Sequence, residues 1–348
     1  MPQQRVIVPA QQLEQLASGL LETAGLSAAG AALMADALVW ANLRGVDSHG
    51  VARLPRYLEL FSSGEANPRA ELKITHSRPG TIMVDADRAP GPLALSAAMR
   101  EAIAAAKQTG VAWASVRGTV HTGALGYYTS IAAAAGMAGI GIVAGIPNMG
   151  YSGARGAAVA TSPLSIALPA GEHPEFVLDM ATAMIALGKI AQYKARSEQL
   201  PEGVAVTASG EPTTDPNLAK IPLPAAGAKG SGMSLAFELL AGGLTGNPIL
   251  SRFHAGDKTH RQNACLIALD ITAFLPLAEF TEIADQTLDA IMALPAAGEA
   301  PVLVPGARAA ASFTQRSRDG IPLPQKTWDE LKQAAAERGV QYAAGLHA

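Results

Sequence analysis

The sequence predicts an α/β fold, and three observations carry that expectation. Short apolar runs of strand length recur between longer segments whose apolar residues return every three or four positions. The composition is 49% hydrophobic, 5% aromatic and 16% charged, with 35 glycines, which suits tightly packed α/β layers better than a disordered chain or a coiled coil. The connections are rich in Gly and Pro, the residues that interrupt regular backbone. At 348 residues the chain exceeds the length at which one core usually stops growing, so a large elaborated domain or a few coupled lobes are expected.

The elements follow in order. In QQLEQLASGLLETAG, Leu13, Leu16 and Leu20 share a helical face, and Gly25 follows as a C-terminal cap. Leu33, Ala37, Leu38 and Ala41 mark a second amphipathic helix that ends at Arg44 and Gly45. Leu54, Tyr57, Leu58 and Phe61 form a third apolar face, which stops at Ser62-Ser63-Gly64. A helix starting at Ser48 would set His49, Arg53 and Tyr57 at i, i+4 and i+8 on one face, but Pro55 past its first turn would cost a hydrogen bond, so the regular helix is expected to start near Leu54 and leave His49 on an interhelical connection; either arrangement keeps the imidazole and guanidinium within reach. TIMVDADRAPG reads as strand and turn, PLALSAAMREAIAAAKQTG as helix, and VAWASVRG, GIGIVAGI, SPLSIALPA and FVLDMA as strands. Met184 to Ala195 is expected to be helical, GMSLAFELLAGGLTG a strongly apolar helix, and LIALDITAF a late strand. EFTEIADQTLDAIMAL and TWDELKQAAAERG read as surface helices, each with one buried stripe.

Charge and cysteine usage exclude several functions. Lys and Arg number 26 against 29 Asp and Glu, for a net charge of -3, and no basic run is long enough to follow a phosphate backbone, so nucleic acid is not an expected partner. The single Cys265 excludes an intrachain disulfide framework or a thiolate-rich metal site and is compatible with a reducing cytoplasm. MPQQRVIVPAQQ holds no long apolar stretch, so secretion is not expected. Gly118 to Ala154 lacks any charged residue, but its most apolar portion is short and broken by glycines. It reads as a helix running into a buried strand rather than a membrane span.

Three stretches could carry chemistry. RGVDSHGVARLPRYL places Ser48, His49 and Arg53 together: a histidine can exchange a proton with a hydroxyl or carbonyl near neutral pH, and an arginine can hold a carboxylate by its fork. That pairing describes a site for a 2-hydroxy or 2-oxo acid, while helix capping and an interhelical salt bridge use the same residue types. VRGTVHTGALGYY puts His121 directly after a strand, where α/β sheets place ligands, although a packed histidine would read the same way. GAKGSGMS, Gly227 to Ser234, offers Lys229 and the free N–H groups of a helix start to an anion, or is a turn with a solvated lysine. It is not a Walker loop, and GIGIVAG, with the wrong spacing for a dinucleotide fingerprint and Pro147 after it, reads as a strand. His254 and His260 lack an HExxH pattern and make a weak case for metal, so no metal site is expected.

RGVDSHGVARLPRYL, VHTGALGYYTSIAAAAGMAGIGI, TSPLSIALP, LDMATAMIALGKI, GEPTTDP, LPAAGAKGSGMSLAFELLAGGLTG and VLVPGAR occur in an order that resembles the malate/L-lactate dehydrogenase-like family, over nearly the whole chain. The resemblance implies a mixed-sheet α/β fold unlike Rossmann, with N- and C-terminal helical parts, a homodimer, and NAD or NADP as hydride carrier. It implies a helical lobe over 1–75 carrying His49, a central cofactor-binding region over 76–310, and a helical segment over 311–348 packing back on the first lobe. By motif position, His49 would be the catalytic acid/base, with Ser48, Arg53 and His121 lining the substrate pocket and Thr161 and Ser162 close to it. Cofactor contacts would fall on Val177, Leu178, Asp179, Met180 and Ala181, on Ala228 and Lys229, and on Gly306, Ala307 and Arg308. The activity implied is reversible hydride transfer between nicotinamide and C2 of a small 2-hydroxy acid of the malate, lactate, ureidoglycolate or sulfolactate type. Reduction of a cyclic imine carboxylate, or ligand sensing without catalysis, are the alternatives.

Three positions depart from the family's pattern. Asn42 stands where an aspartate is common, ATSP from Ala160 to Pro163 replaces GTNP, and Thr207 replaces an aspartate. GEPTTDP and LPAAGAKG look most like the ureidoglycolate dehydrogenases of the family.

Overall fold

The computed structural model describes residues 5–259, 261–342 and 346–347. Strand β1 (Arg5–Val8) leads into α1 (Ala10–Thr23), α2 (Ala28–Leu43) and α3 (Leu54–Ser62). A first stretch of α/β chain follows as β2 (Lys73–Arg78), β3 (Thr81–Asp85), α4 (Gly91–Thr109), β4 (Val111–Thr119), α5 (Gly126–Ala134), β5 (Met137–Gly145), β6 (Leu164–Leu168) and β7 (Phe176–Met180). Then come α6 (Leu187–Arg196), the short pair β8 (Ala205–Val206) and β9 (Ile221–Pro222), α7 (Ala228–Phe237), α8 (Leu250–His254) and β10 (Gln262–Asp270). The chain closes with α9 (Leu277–Met292), α10 (Ala307–Asp319), β11 (Ile321–Pro324), α11 (Gln325–Arg338) and β12 (Leu346–His347).

The main sheet has seven strands in the order β2-β3-β4-β10-β5-β6-β7. Only the β3–β4 pair is parallel, and the remaining neighbours are antiparallel, so the sheet is mixed and is not a doubly wound parallel one. Alternation along the central strand sorts two cores. Ala264, Leu266 and Ala268 of β10 pack with α4 and α5, while Cys265 and Ile267 face Ile142, Ala144 and Ala241 on the other side. A separate core joins α1, α2 and α3 to β1, β11 and α11 through Leu13, Leu16, Leu20, Met34, Leu38, Trp328 and Leu331.

Several expectations shift. The second helix is not amphipathic: Ala31, Met34, Ala35, Ala37, Leu38, Val39 and Ala41 are all buried, because α2 lies between the helical core and the sheet core. Ser27 starts it by accepting the Gly30 N–H at 3.2 Å. The helix expected from Met184 begins at Leu187, since Met184 first donates its N–H to the Leu223 carbonyl at 2.8 Å. The late strand ends at Asp270, whose carboxylate accepts the Thr272 N–H at 2.9 Å and opens a tight turn. The strongly apolar helix is α-helical only to Phe237 and continues as a π-helical segment over Glu238–Gly243. In α9 only Leu288 is buried, so the expected stripe is largely open. The expected strands and helices omit β1, β2, β8, β9, α8, α10, β11 and β12. No helix among the described residues is long and apolar enough to cross a membrane.

Candidate active site

Two short 3-10 turns, Asp47–His49 and Val51–Arg53, join α2 to α3 and present the histidine on a loop rather than on a helical face. Regular helix starts at Leu54 with Pro55 in its first turn, where no intrahelical N–H bond is lost. Gly50 between the turns packs so closely on the Asn42 amide that a β-carbon would overlap it. Within the loop, the Ser48 hydroxyl lies 3.0 Å from Nδ1 of His49, and Nε of Arg53 donates to the Ser48 carbonyl at 2.7 Å. One nitrogen of the guanidinium fork is thereby spent on holding the loop.

The sheet brings a second histidine to the first. His121 follows β4, and its ring stacks on that of His49 at 5.9 Å between centroids. Tyr57, fully buried on α3, places its hydroxyl 2.7 Å from Nδ1 of His121, and the Gly123 N–H points at the same nitrogen from 3.3 Å. Burial pushes the Tyr57 phenol well above its ordinary pKa, so it stays a hydroxyl throughout the working range. Gly188, near the start of α6, covers the loop from outside: a β-carbon there would stand 2.7 Å from that of Ser48.

Electrostatics set the state of His49. Burial pushes its imidazole down to about 4, and the Arg53 charge beside it adds to the depression. The half-buried ring is therefore neutral at pH 7, a proton acceptor beside a fixed cation.

The remaining sequence-predicted residues gather around β7, the edge strand of the sheet. Val177, Leu178, Asp179 and Met180 lie on it and Ala181 follows directly. Asp179 accepts the Gly126 N–H at the start of α5 at 2.7 Å; the surrounding protein pushes its carboxyl up to about 6, although the edge position leaves the residue open to solvent. Thr161 accepts the Thr182 N–H on its carbonyl at 3.0 Å, and buried Ser162 lies 3.3 Å from the Ser234 hydroxyl of α7, so this loop meets the segment after β7 and α7. Ala228 and exposed Lys229 open α7, while Gly306 caps α10 at φ 90° with its α-carbon pressed on the backbone of Val177, ahead of Ala307 and Arg308. A cleft of about 390 Å³ lies beside that α10 start, lined by Glu175, Phe176, Val304 and Ala307 among others.

These residues fit a phosphorylated nucleotide. Gly230 in the first turn of α7 has no room for a β-carbon, which would come within 2.5 Å of the Thr182 carbonyl, so backbone is drawn close at a helix start with an exposed ammonium on it. Among the described residues the buried Thr182 hydroxyl beside it has no hydrogen-bond partner. Among the described residues no group of three His, Cys, Asp or Glu converges as a metal site, His254 bonds the Ala158 carbonyl at 2.9 Å, and His260 lies outside them.

Sequence reasoning gave no role in this site to Tyr57, which it placed on one face with His49 and Arg53, and missed Gly188, Asp47 and Arg316. The spacing of Arg53 and Tyr57 at i and i+4 was the available signal for Tyr57. Nothing local marks Arg316, whose guanidinium reaches Asp47 at 2.6 Å from α10.

A family model described as malate/L-lactate dehydrogenase matches residues 8–332. The chain is 32% identical over 347 residues to malate dehydrogenase of Pyrococcus horikoshii, covering 96% of both chains. It is 33% identical to ureidoglycolate dehydrogenase (NAD(+)) of Escherichia coli O157:H7, covering 92% of this chain and 93% of the other. The solved structure of sulfolactate dehydrogenase from Methanocaldococcus jannaschii superposes with a TM-score of 0.86 at 32% identity, over 96% of this chain and 98% of that one.

Proposed function

Because the chain belongs to the malate/L-lactate dehydrogenase family, we propose that it is an NAD(P)-dependent oxidoreductase acting at C2 of a small 2-hydroxy or 2-oxo acid of the malate, lactate, ureidoglycolate or sulfolactate type. The observation that carries this reading is a neutral histidine held beside a fixed guanidinium: Ser48, His49 and Arg53 share one loop, and His121 closes over it.

Arg53 holds the substrate carboxylate with the part of its fork not bonded to the Ser48 carbonyl. Ser48 occupies Nδ1 of His49 and leaves Nε2 to accept the C2 hydroxyl proton in oxidation and to return it in reduction. The hydride leaving or reaching C2 is the chemistry a nicotinamide supplies when bound. His121, oriented by Tyr57 and stacked on His49, would line the pocket beside the acid/base. Lys229 and the first turn of α7 would hold the cofactor's phosphates, with residues 177–181 and 306–308 along its length. Thr161 and Ser162, the latter in place of the family's usual asparagine, would border the variable end of the substrate.

A homodimer accompanies this reading. α7, the π-helical segment that continues it and the residue after that segment expose Leu235, Leu239, Leu240 and Leu244, with Leu239 at 62% and Leu244 at 60% exposure, an apolar row that a second copy would cover. The lone buried Cys265 suits a reducing cytoplasm.

An absorbance screen of NADH and NADPH oxidation against 2-oxo acids and cyclic imine carboxylates tests the proposal. Turnover with a 2-oxo acid supports it, turnover confined to cyclic imines replaces the substrate class, and cofactor binding without turnover on any member makes the protein a sensor.

A further inference from the structure

The amide of Asn42 stands at the centre of the bonds that hold the His49 loop. Its Nδ2 donates to Oδ1 of Asp47 at 2.8 Å, and its Oδ1 accepts the Val51 N–H at 2.8 Å, so it grips the loop on both sides of Ser48 and His49. Arg316 of α10 donates to both carboxylate oxygens of Asp47, at 2.6 and 3.2 Å, and to the Asn42 carbonyl at 2.5 Å. Ser312, one helical turn earlier, donates to the Leu43 carbonyl at 2.9 Å. Asn42 is itself wholly buried at 1% exposure. Among the other charges nearby, Arg44 pairs with Glu175, and Arg53 bonds the Ser48 carbonyl.

In this chain the side chain at position 42 accepts at one end and donates at the other, and asparagine does both in a single charge state, which the aspartate common there in the family does not. An aspartate there would set a second carboxylate about 2.8 Å from that of Asp47. Two carboxylates so close cannot both ionise without repulsion, and one proton must be shared between them. We propose that Asn42, Asp47 and Arg316 are positioning residues for the His49 loop, and that the amide at position 42 makes that positioning independent of pH through the neutral range. The inference rests on the reading of His49 as the proton-transfer group.

Asn42→Asp is the test, with kcat/KM followed from pH 5.5 to 8.5 and thermal unfolding measured at each pH. Relative to wild type, the variant is expected to lose activity by about tenfold or more as the shared proton leaves and the loop is pushed open, the scale of one pKa-unit interaction. The double variant Asn42→Asp, Asp47→Asn keeps one carboxylate and is expected to regain the wild-type profile shape. It also carries the test if Asn42→Asp does not fold. Wild-type-shaped profiles in Asn42→Asp, a uniform loss at every pH, or no recovery of shape in the double variant would overturn the inference. If the wild type turns over no substrate, the functional reading fails separately. The rate at which diethyl pyrocarbonate modifies His49, read by mass spectrometry, then decides the inference: parallel pH dependence in wild type and Asn42→Asp overturns it, and divergence as pH rises supports it.

Discussion

The rings of His49 and His121 lie face to face, 5.9 Å between centroids and 18° between planes, although two α-helices, three strands and their loops separate them in the chain. A substrate held by Arg53 meets two imidazoles, and the proposal gives them unequal parts. His49→Ala is expected to lower turnover in both directions by about a hundredfold to ten-thousandfold, the usual worth of a positioned acid/base group. His121→Gln is expected to raise KM for the acid more than it lowers kcat. Undiminished turnover in His49→Ala would sink the assignment.

The depressed His49 pKa has a defined sign. In free protein the imidazole is neutral above about pH 4, so kcat/KM for oxidation of the hydroxy acid is expected to fall only below that point on account of this group. Reduction requires the protonated ring and is expected to weaken as pH rises. A bound carboxylate neutralises Arg53, so the inflection in kcat is expected at higher pH than that in kcat/KM.

The same shift enters stability. Unfolded histidine takes its proton near the ordinary value of 6.5, while the folded ring resists it until about 4, so this group's contribution is full above 6.5 and is lost as pH falls to 4. His49→Gln is expected to lose less of its unfolding temperature between pH 7 and 4.5 than wild type does, as calorimetry would show.

Arg53→Lys keeps the charge but loses the fork that serves the loop and the substrate together. KM for the 2-oxo acid is expected to rise about tenfold to a hundredfold, in line with losing a charge-assisted hydrogen bond, while KM for NADH or NADPH stays near wild type. An equal rise in both would contradict a role confined to the carboxylate.

Gly188→Ala places a β-carbon 2.7 Å from that of Ser48, closer than two carbons can pack, so α6 or the loop must move. A destabilisation of about 1–3 kcal/mol by denaturant unfolding, with a larger relative loss of kcat than at the exposed Gly298, where a β-carbon meets nothing, is the expected outcome.

Leu239→Glu puts a charge into the exposed apolar row of the π-helical segment. Sedimentation is expected to show a dimer for wild type and a lighter species for the variant; an unchanged sedimentation coefficient would remove this face from the interface.

Local spacing made much of the molecule legible. The leucine period in α1, the short apolar run of β10 and the placement of Pro55 each report a requirement that neighbouring residues impose on one another, and each element formed accordingly. The errors have the same origin read in reverse. Burial of α2 on nearly all sides, the open face of α9 and the omission of the edge strand β2 depend on what packs against an element, which periodicity does not state.

By itself the sequence determined that Ser48, His49 and Arg53 lie close together at the start of a helix, and Pro55 favoured a loop for them over a continuous helical face, which is the arrangement that formed. Only the tertiary structure decided what surrounds that loop. Tyr57 on His121, Gly188 on Ser48 and Arg316 on Asp47 are contacts between distant segments, set by strand order and helix docking. Burial there pushes His49 to its neutral form, a property that no residue type carries and that arises from removing water around it.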